Sequence, residues 1–158
     1  LAAGIPAEQI TRSIYAFSPV EHRLEPVKEV DGVLWINDSK ATNVDAAWYA
    51  LECQTRPVVW IVGGTDKGND YASLIPLAQE KVKAMICMGL DNRKFHESFE
   101  GIVPEIHAVT SAKDAVKLAS QLAVSGDVVL LSPCCASFDL FKNYEDRGRQ
   151  FKEAVRNL

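Results

Sequence analysis

The chain has 158 residues, 47% of them apolar and 24% charged, with a net charge of -4. That length suits one domain with a core of its own, and that balance excludes a disordered or fibrous chain. The negative total excludes broad electrostatic binding to nucleic acid, which rests on clustered cationic charge, so any anionic ligand has to be met by a local group of side chains.

Residues 1–17 read as a helix, with Ile10, Ile14 and Phe17 on one face after Pro6, and Pro19 forms a joint to the rest of the chain. In "RLEPVKEVDGVLWIN" the pair Asp31-Gly32 stands between two extended runs, the pattern of a β-hairpin. Four short apolar runs then recur, "VLWIN" (33–37), "RPVVWIVGG" (56–64), "VKAMICMG" (82–89) and "GDVVLLSP" (126–133). Each is bounded by turn formers, as suits strands covered on both faces of a parallel sheet. "EIHAVT" (105–110) is weaker and belongs nearer an edge. Val44, Ala47, Trp48 and Leu51 fall at i, i+3, i+4 and i+7, as do Ala115, Leu118, Ala119 and Leu122, each set marking the apolar face of a helix. Thr42 or Asn43 is placed to cap the first, and Ser111 with Asp114 makes a capping-box pattern for the second. The last helix is expected from about Leu140 to the end, with Phe141, Tyr144, Phe151 and Val155 inward. The alternation predicts an α/β fold: a Rossmann-like, mostly parallel sheet of about five to six strands flanked by helices and preceded by the hairpin.

No apolar run approaches the roughly 18 residues that span a bilayer, and "LAAGIPAEQITRS" lacks the order of a secretory leader. The chain is therefore expected in the cytoplasm, with neither membrane nor nucleic acid as partner; a monomer is expected, although nothing in the sequence gives the oligomeric state. Cys53, Cys87, Cys134 and Cys135 show no metal or redox spacing and read as reduced thiols, the adjacent pair as buried apolar fillers. The three His add no zinc pattern, and His96 and His107 read as surface residues.

In open parallel sheets, ligands bind beyond the carboxyl ends of the strands. Those positions carry "DSKATN" after the first strand, "TDKG" after the second and "CCASFD" after the last. They place Lys40, Lys67, Thr42 and Ser137 along one rim, a set suited to a small dianion. Plainer readings stand beside this one. Asp38, Ser39, Thr42 and Asn43 are ordinary capping residues, Gly63-Gly64 could simply turn the chain, and Lys67 could be solvated. Asp139, Asn143, Glu145 and Arg147 read as the exposed face of the last helix. Neither G-x-x-x-x-G-K-S/T nor G-x-G-x-x-G occurs, so this chain by itself is not expected to hydrolyse a nucleotide.

Taken together, "HRLE" (22–25), "GGTDKG" (63–68), "NDSKATN" (37–43) and "SPCCASFDLFKNYEDRG" (132–148) resemble the C-terminal domain of the Mur ligase family, in its D-glutamate-adding branch. The resemblance covers the whole chain, with 1–17 similar to the C-terminal end of the central ATPase domain or a linker helix, and 18–158 similar to the amino-acid-binding domain. It implies an enzyme that uses ATP and Mg2+ to turn the carboxylate of UDP-N-acetylmuramoyl-L-alanine into an acyl phosphate, which the amine of D-glutamate then attacks. It implies that Thr42 and Lys67 hold the α-carboxylate of D-glutamate, and that Ser137 and the backbone at Tyr144 hold its side-chain carboxylate. Lys40 would lie beside the substrate or acyl phosphate as the catalytic group, and Arg23 and Asp38 would reach nucleotide from a hinge near Arg23. Where the family carries Phe, this chain has Tyr144, a change of little consequence for a main-chain contact. The metal ligands and phosphate loop of the family lie upstream, so this chain is expected to be inactive alone. Two other classes share the alternation. A non-catalytic flavodoxin-like or receiver-like module calls for acidic clusters or stacking aromatics at the strand ends, and a thiol enzyme would use Cys134 or Cys135.

Overall fold

A computed structural model describes residues 4–16 and 20–158. Helix α1 (Ala7–Tyr15) starts after Pro6 and buries no side chain among the described residues. Phe17 and the Pro19 joint lie outside them.

Six strands form one sheet in the order β1-β2-β6-β3-β4-β5. Strands β1 (Glu25–Val30) and β2 (Val33–Asn37) make the expected hairpin, pairing Val30 with Val33 across Asp31-Gly32. Both turn residues have positive φ, 51° and 80°, the handedness that matches the twist of paired strands. The hairpin is part of the sheet and not a prelude to it: β1 is its antiparallel edge, while β2 runs parallel to β6 (Val128–Cys134). Strand β3 (Val58–Gly63) lies between β6 and β4 (Val82–Met88), and β5 (Ile106–Val109) closes the other edge, where the weaker "EIHAVT" was expected.

Successive side chains on β3 point to opposite faces, which divides the core in two. Val58, Trp60 and Val62 pack with α2 (Val44–Glu52), α3 (Ile75–Lys81) and α4 (Arg93–Phe99) through Leu51, Ala78 and Phe99. Val59 and Ile61 pack with α5 (Ala112–Leu122) and α6 (Tyr144–Arg156) through Ala115, Ala119, Phe151 and Val155. The apolar faces read for α2 and α5 are those that meet the sheet. Asn43 caps α2 and Ser111 caps α5, each accepting from the amide three residues on.

Helix α6 begins later than expected. Asn143 accepts the Asp146 amide at 2.8 Å and so sets the start at Tyr144, while Phe141 is buried from the loop before it. A buried loop aromatic mimics the first turn of a helix in a pattern of spacings.

Chain order and sheet order differ at one place. Strand β2 leads through α2 to β3, two places away, and the gap is filled last by β6 returning through α5 on the opposite face. The loops after β2, β6 and β3 are therefore neighbours at the point where strand order reverses, the usual place for a ligand on such a sheet.

Candidate functional site

One buried side chain ties these three loops together. Arg147 is 1% exposed, and its Nε donates to Ser39 Oγ at 2.9 Å. Its Nη2 donates to the Ser39 carbonyl at 2.8 Å, and its Nη1 to the carbonyls of Gly63 and Cys135 at 3.3 and 3.1 Å. Burial pushes its pKa down to about 10, so it remains a cation at neutral pH. The sequence reading placed Arg147 on an exposed helix face. The structure corrects this: with Tyr144, Phe151 and Val155 it falls on the inward face of α6, where its fork donates to the carbonyls of Ser39, Gly63 and Cys135.

The loops also touch directly. Thr65 donates its amide to the Ala136 carbonyl at 2.8 Å. Gly64, at φ 130°, allows that approach, because a Cβ there would collide with the same carbonyl.

After β2, Asp38 is 6% exposed and accepts from the Leu24 amide at 3.1 Å and the Ser132 hydroxyl at 2.9 Å. Burial raises its carboxyl to about 6, outweighing the two donors that favour the charge. The Lys40 Nζ donates to the Tyr144 hydroxyl at 2.9 Å and lies 4.8 Å from the centre of that ring. Thr42 is exposed, and its hydroxyl has no partner among the described residues.

After β3, Asp66 shapes the loop by accepting from the amides of Gly68 and Asn69, at 2.6 and 2.9 Å, and from the Tyr71 hydroxyl at 2.7 Å. Burial pushes the Asp66 carboxyl up, and those three donors more than offset it, so it sits below its usual range. Lys67 stands exposed on this loop with no ion pair among the described residues.

After β6, Ser137 is 2% exposed, and its carbonyl accepts from the Phe141 amide at 2.9 Å. The Tyr144 amide opens α6 and has no acceptor within the helix, a donor turned toward anions by the helix dipole. Arg23 is exposed on the turn before β1.

The structure thus brings Lys40 and Tyr144 into contact and sets the loops of Thr42, Lys67 and Ser137 side by side. A cleft of about 620 Å³ lies elsewhere, between the ends of β3 and β4. Its lining mixes Asp66, Asp91, Glu97 and Asp139 with Arg93 and Lys94, which makes it a poor dianion receptor.

Sequence reasoning missed a second polar knot beneath the rim. His22, 2% exposed and at φ 64°, has Nδ1 2.9 Å from the Asn37 amide nitrogen. Asn37 also donates to Glu25 at 2.9 Å, and Lys152 donates to Glu21 and Glu25 at 2.6 and 3.0 Å. Nothing in the spacing of these residues announced it.

The three buried thiols are poorly set up as nucleophiles. Cys87, Cys134 and Cys135 are buried, and burial raises all three, Cys87 to about 12, leaving them protonated at neutral pH.

A family model described as "Mur ligase, glutamate ligase domain" matches residues 22–135. The chain is 58% identical over 154 residues to a Christiangramia forsetii protein named "UDP-N-acetylmuramoylalanine--D-glutamate ligase", covering 98% of this chain and 35% of that one. It is 54% identical over 157 residues to a Bacteroides fragilis protein of the same name, covering 99% and 35%. The chain thus spans about a third of the length of the curated relatives it matches. Among solved structures, the fold is shared with UDP-N-acetylmuramate-alanine ligase from Thermotoga maritima, at TM-score 0.66 and 14% identity over 99% of this chain and 35% of that one. It is shared also with the bifunctional folylpolyglutamate synthase/dihydrofolate synthase from Yersinia pestis, at TM-score 0.65 and 22% identity over 99% and 36%.

Proposed function

The chain belongs to the Mur ligase family, through its glutamate ligase domain, and from that premise we propose that it is the D-glutamate-binding part of an ATP-dependent ligase. The full-length enzyme joins D-glutamate to UDP-N-acetylmuramoyl-L-alanine in peptidoglycan precursor synthesis. The observation that carries this reading is identity of 58% along nearly the whole chain to a protein named for that ligation. On this reading 18–158 form the C-terminal domain, 1–17 end the ATPase domain, and the enzyme works as a cytoplasmic monomer with neither membrane nor nucleic-acid partner. No helix among the described residues is long and apolar enough to cross a membrane.

D-glutamate offers two carboxylates to hold and one amine that must stay unprotonated to attack. Thr42 and Lys67 take its α-carboxylate, and Ser137 with the Tyr144 amide takes the other. In support, the side chains of Thr42, Lys67 and Ser137 make no hydrogen bond among the described residues, and Thr42 and Lys67 are exposed. Holding both acids leaves the amine free and fixes its direction of approach. Lys40 faces the reacting carbonyl, where its charge favours the oxyanion that develops. Arg23 and Asp38 lie on the nucleotide side, and Asp38 retains lone pairs beyond those used by Leu24 and Ser132.

ATP and Mg2+ are assigned to the full-length enzyme. The chain has no phosphate-cradling string. In the one group of metal-ligand types among the described residues, Glu21, His22 and Glu25, both carboxylates are already paired with the Lys152 ammonium. These residues do not fit either group, and no step here runs through them.

The reading is tested by supplying the full-length enzyme with ATP, UDP-N-acetylmuramoyl-L-alanine and one amino acid at a time, with product followed by mass spectrometry. D-glutamate is expected to be used at least about 100-fold better than L-glutamate or D-alanine, as a site built to hydrogen-bond both carboxylates discriminates. Preference for any other amino acid contradicts the proposal.

A further inference from the structure

The contact between Lys40 and Tyr144 is anchored at both ends. The Lys40 amide donates to the His22 carbonyl at 3.1 Å, which fixes the root of the lysine. The Tyr144 ring meets the imidazole of the same His22 edge-on, with centroids 5.9 Å apart and planes at 86°. The Tyr144 carbonyl accepts from the Ser39 hydroxyl at 2.8 Å, and Ser39 is in turn held by Arg147. The phenol is therefore rigidly mounted, wedged between a buried imidazole and a lysine ammonium, and it receives the ammonium both at its oxygen and over its ring.

A lysine side chain has several free torsions, and holding it in one arrangement costs rotamer entropy. Where the lysine serves a charge that exists only during reaction, this cost falls on the transition state unless something in the free protein has already met it. The phenol oxygen accepts from the ammonium, which turns the phenol proton away from Lys40. The phenol proton is thereby left free to face solvent or a ligand.

We propose that the Tyr144 hydroxyl is a positioning residue for Lys40: it orders the ammonium at the mouth of the site before any ligand arrives. The proposal deepens the functional reading of this site, resting on Lys40 as the charge beside the reacting carbonyl. It gives the Tyr144 side chain a task separate from that of its amide, and it predicts which kinetic constant the hydroxyl controls.

The test is Tyr144→Phe in the full-length enzyme, which keeps the ring, the His22 contact and the main-chain amide. The expected result is a kcat lower by about five- to tenfold with KM for D-glutamate changed by less than about twofold, at an unaltered melting temperature. Ligand-free crystal structures supply a readout independent of activity: Lys40 Nζ stays on the phenol in the parent enzyme and occupies more than one rotamer in the variant. An unchanged kcat overturns the proposal, as does a lowered kcat with Lys40 ordered in place, because the hydroxyl would then act on the ligand directly. A raised KM alone overturns it too. A parent enzyme that ligates a different amino acid contradicts the functional reading instead, and the same kcat split and crystal comparison still decide the role of Tyr144.

Discussion

Asp38 is the residue at which stability and the proposed nucleotide role pull apart. Its folded pKa of about 6, against an ordinary 3.8, means that the native state holds a proton more tightly than the unfolded chain. Stability contributed at this position is present below pH 4 and is lost as the pH rises through 6, where the buried carboxylate bears its full desolvation cost. A rise of this size corresponds to at most ~3 kcal/mol. Asp38→Asn keeps an acceptor for the Leu24 amide and offers a donor to Ser132. It should raise the unfolding free energy at pH 7 by about 1–3 kcal/mol and flatten its slope between pH 4 and 6, as read by urea denaturation. A variant less stable than the parent at pH 7 contradicts the raised pKa. Arg147 is the opposite case, a buried charge whose donors are used on carbonyls of three loops. Its position was within reach of the sequence, since Tyr144, Arg147, Phe151 and Val155 share one helical face. A charged residue on an apolar stripe was the available signal, and it was overridden by the general preference of arginine for solvent.

At the scale of elements, the parallel strands were legible because burial on both faces leaves nearly unbroken apolar runs, as in "VVWIVG" of β3. The hairpin was legible from Asp31-Gly32, whose positive φ values few other pairs tolerate. Helices α3 and α4, seven residues each, are too short to show a periodic face and were not located in advance. The rim residues were legible as residues at strand ends. What joins them was not, because Arg147, His22 and Lys152 act across separations of up to 131 positions. Helix α6 carries one element-level consequence. Gly148 has ordinary helical geometry, and Gly→Ala in a helix normally stabilises by about 1 kcal/mol. Here a Cβ would collide with His22 Nδ1, and that imidazole is boxed in by Asn37 and Tyr144. Gly148→Ala should therefore destabilise, by about 1–3 kcal/mol in chemical denaturation, as overpacking does. A stabilised variant would mean that the knot beneath the rim is loose.

Over the whole molecule, the sheet order places β6 between β2 and β3, so the last strand of the chain completes a site begun by the first parallel one. The rim then has one free lysine, one tethered lysine and two hydroxyls, set on loops that a single guanidinium locks together. Such a surface can hold a small dianion but has no cradle for a triphosphate, which fits a chain spanning about a third of the relatives it matches. The division of labour is open to direct measurement in the full-length enzyme through the KM values for D-glutamate and for ATP in Lys67→Ala and Ser137→Ala. Losing one charge-assisted or hydroxyl contact to a carboxylate should raise KM for D-glutamate about tenfold or more and leave KM for ATP within about twofold. Equal changes in both constants, or no change in either, would contradict the assignment of this rim to D-glutamate.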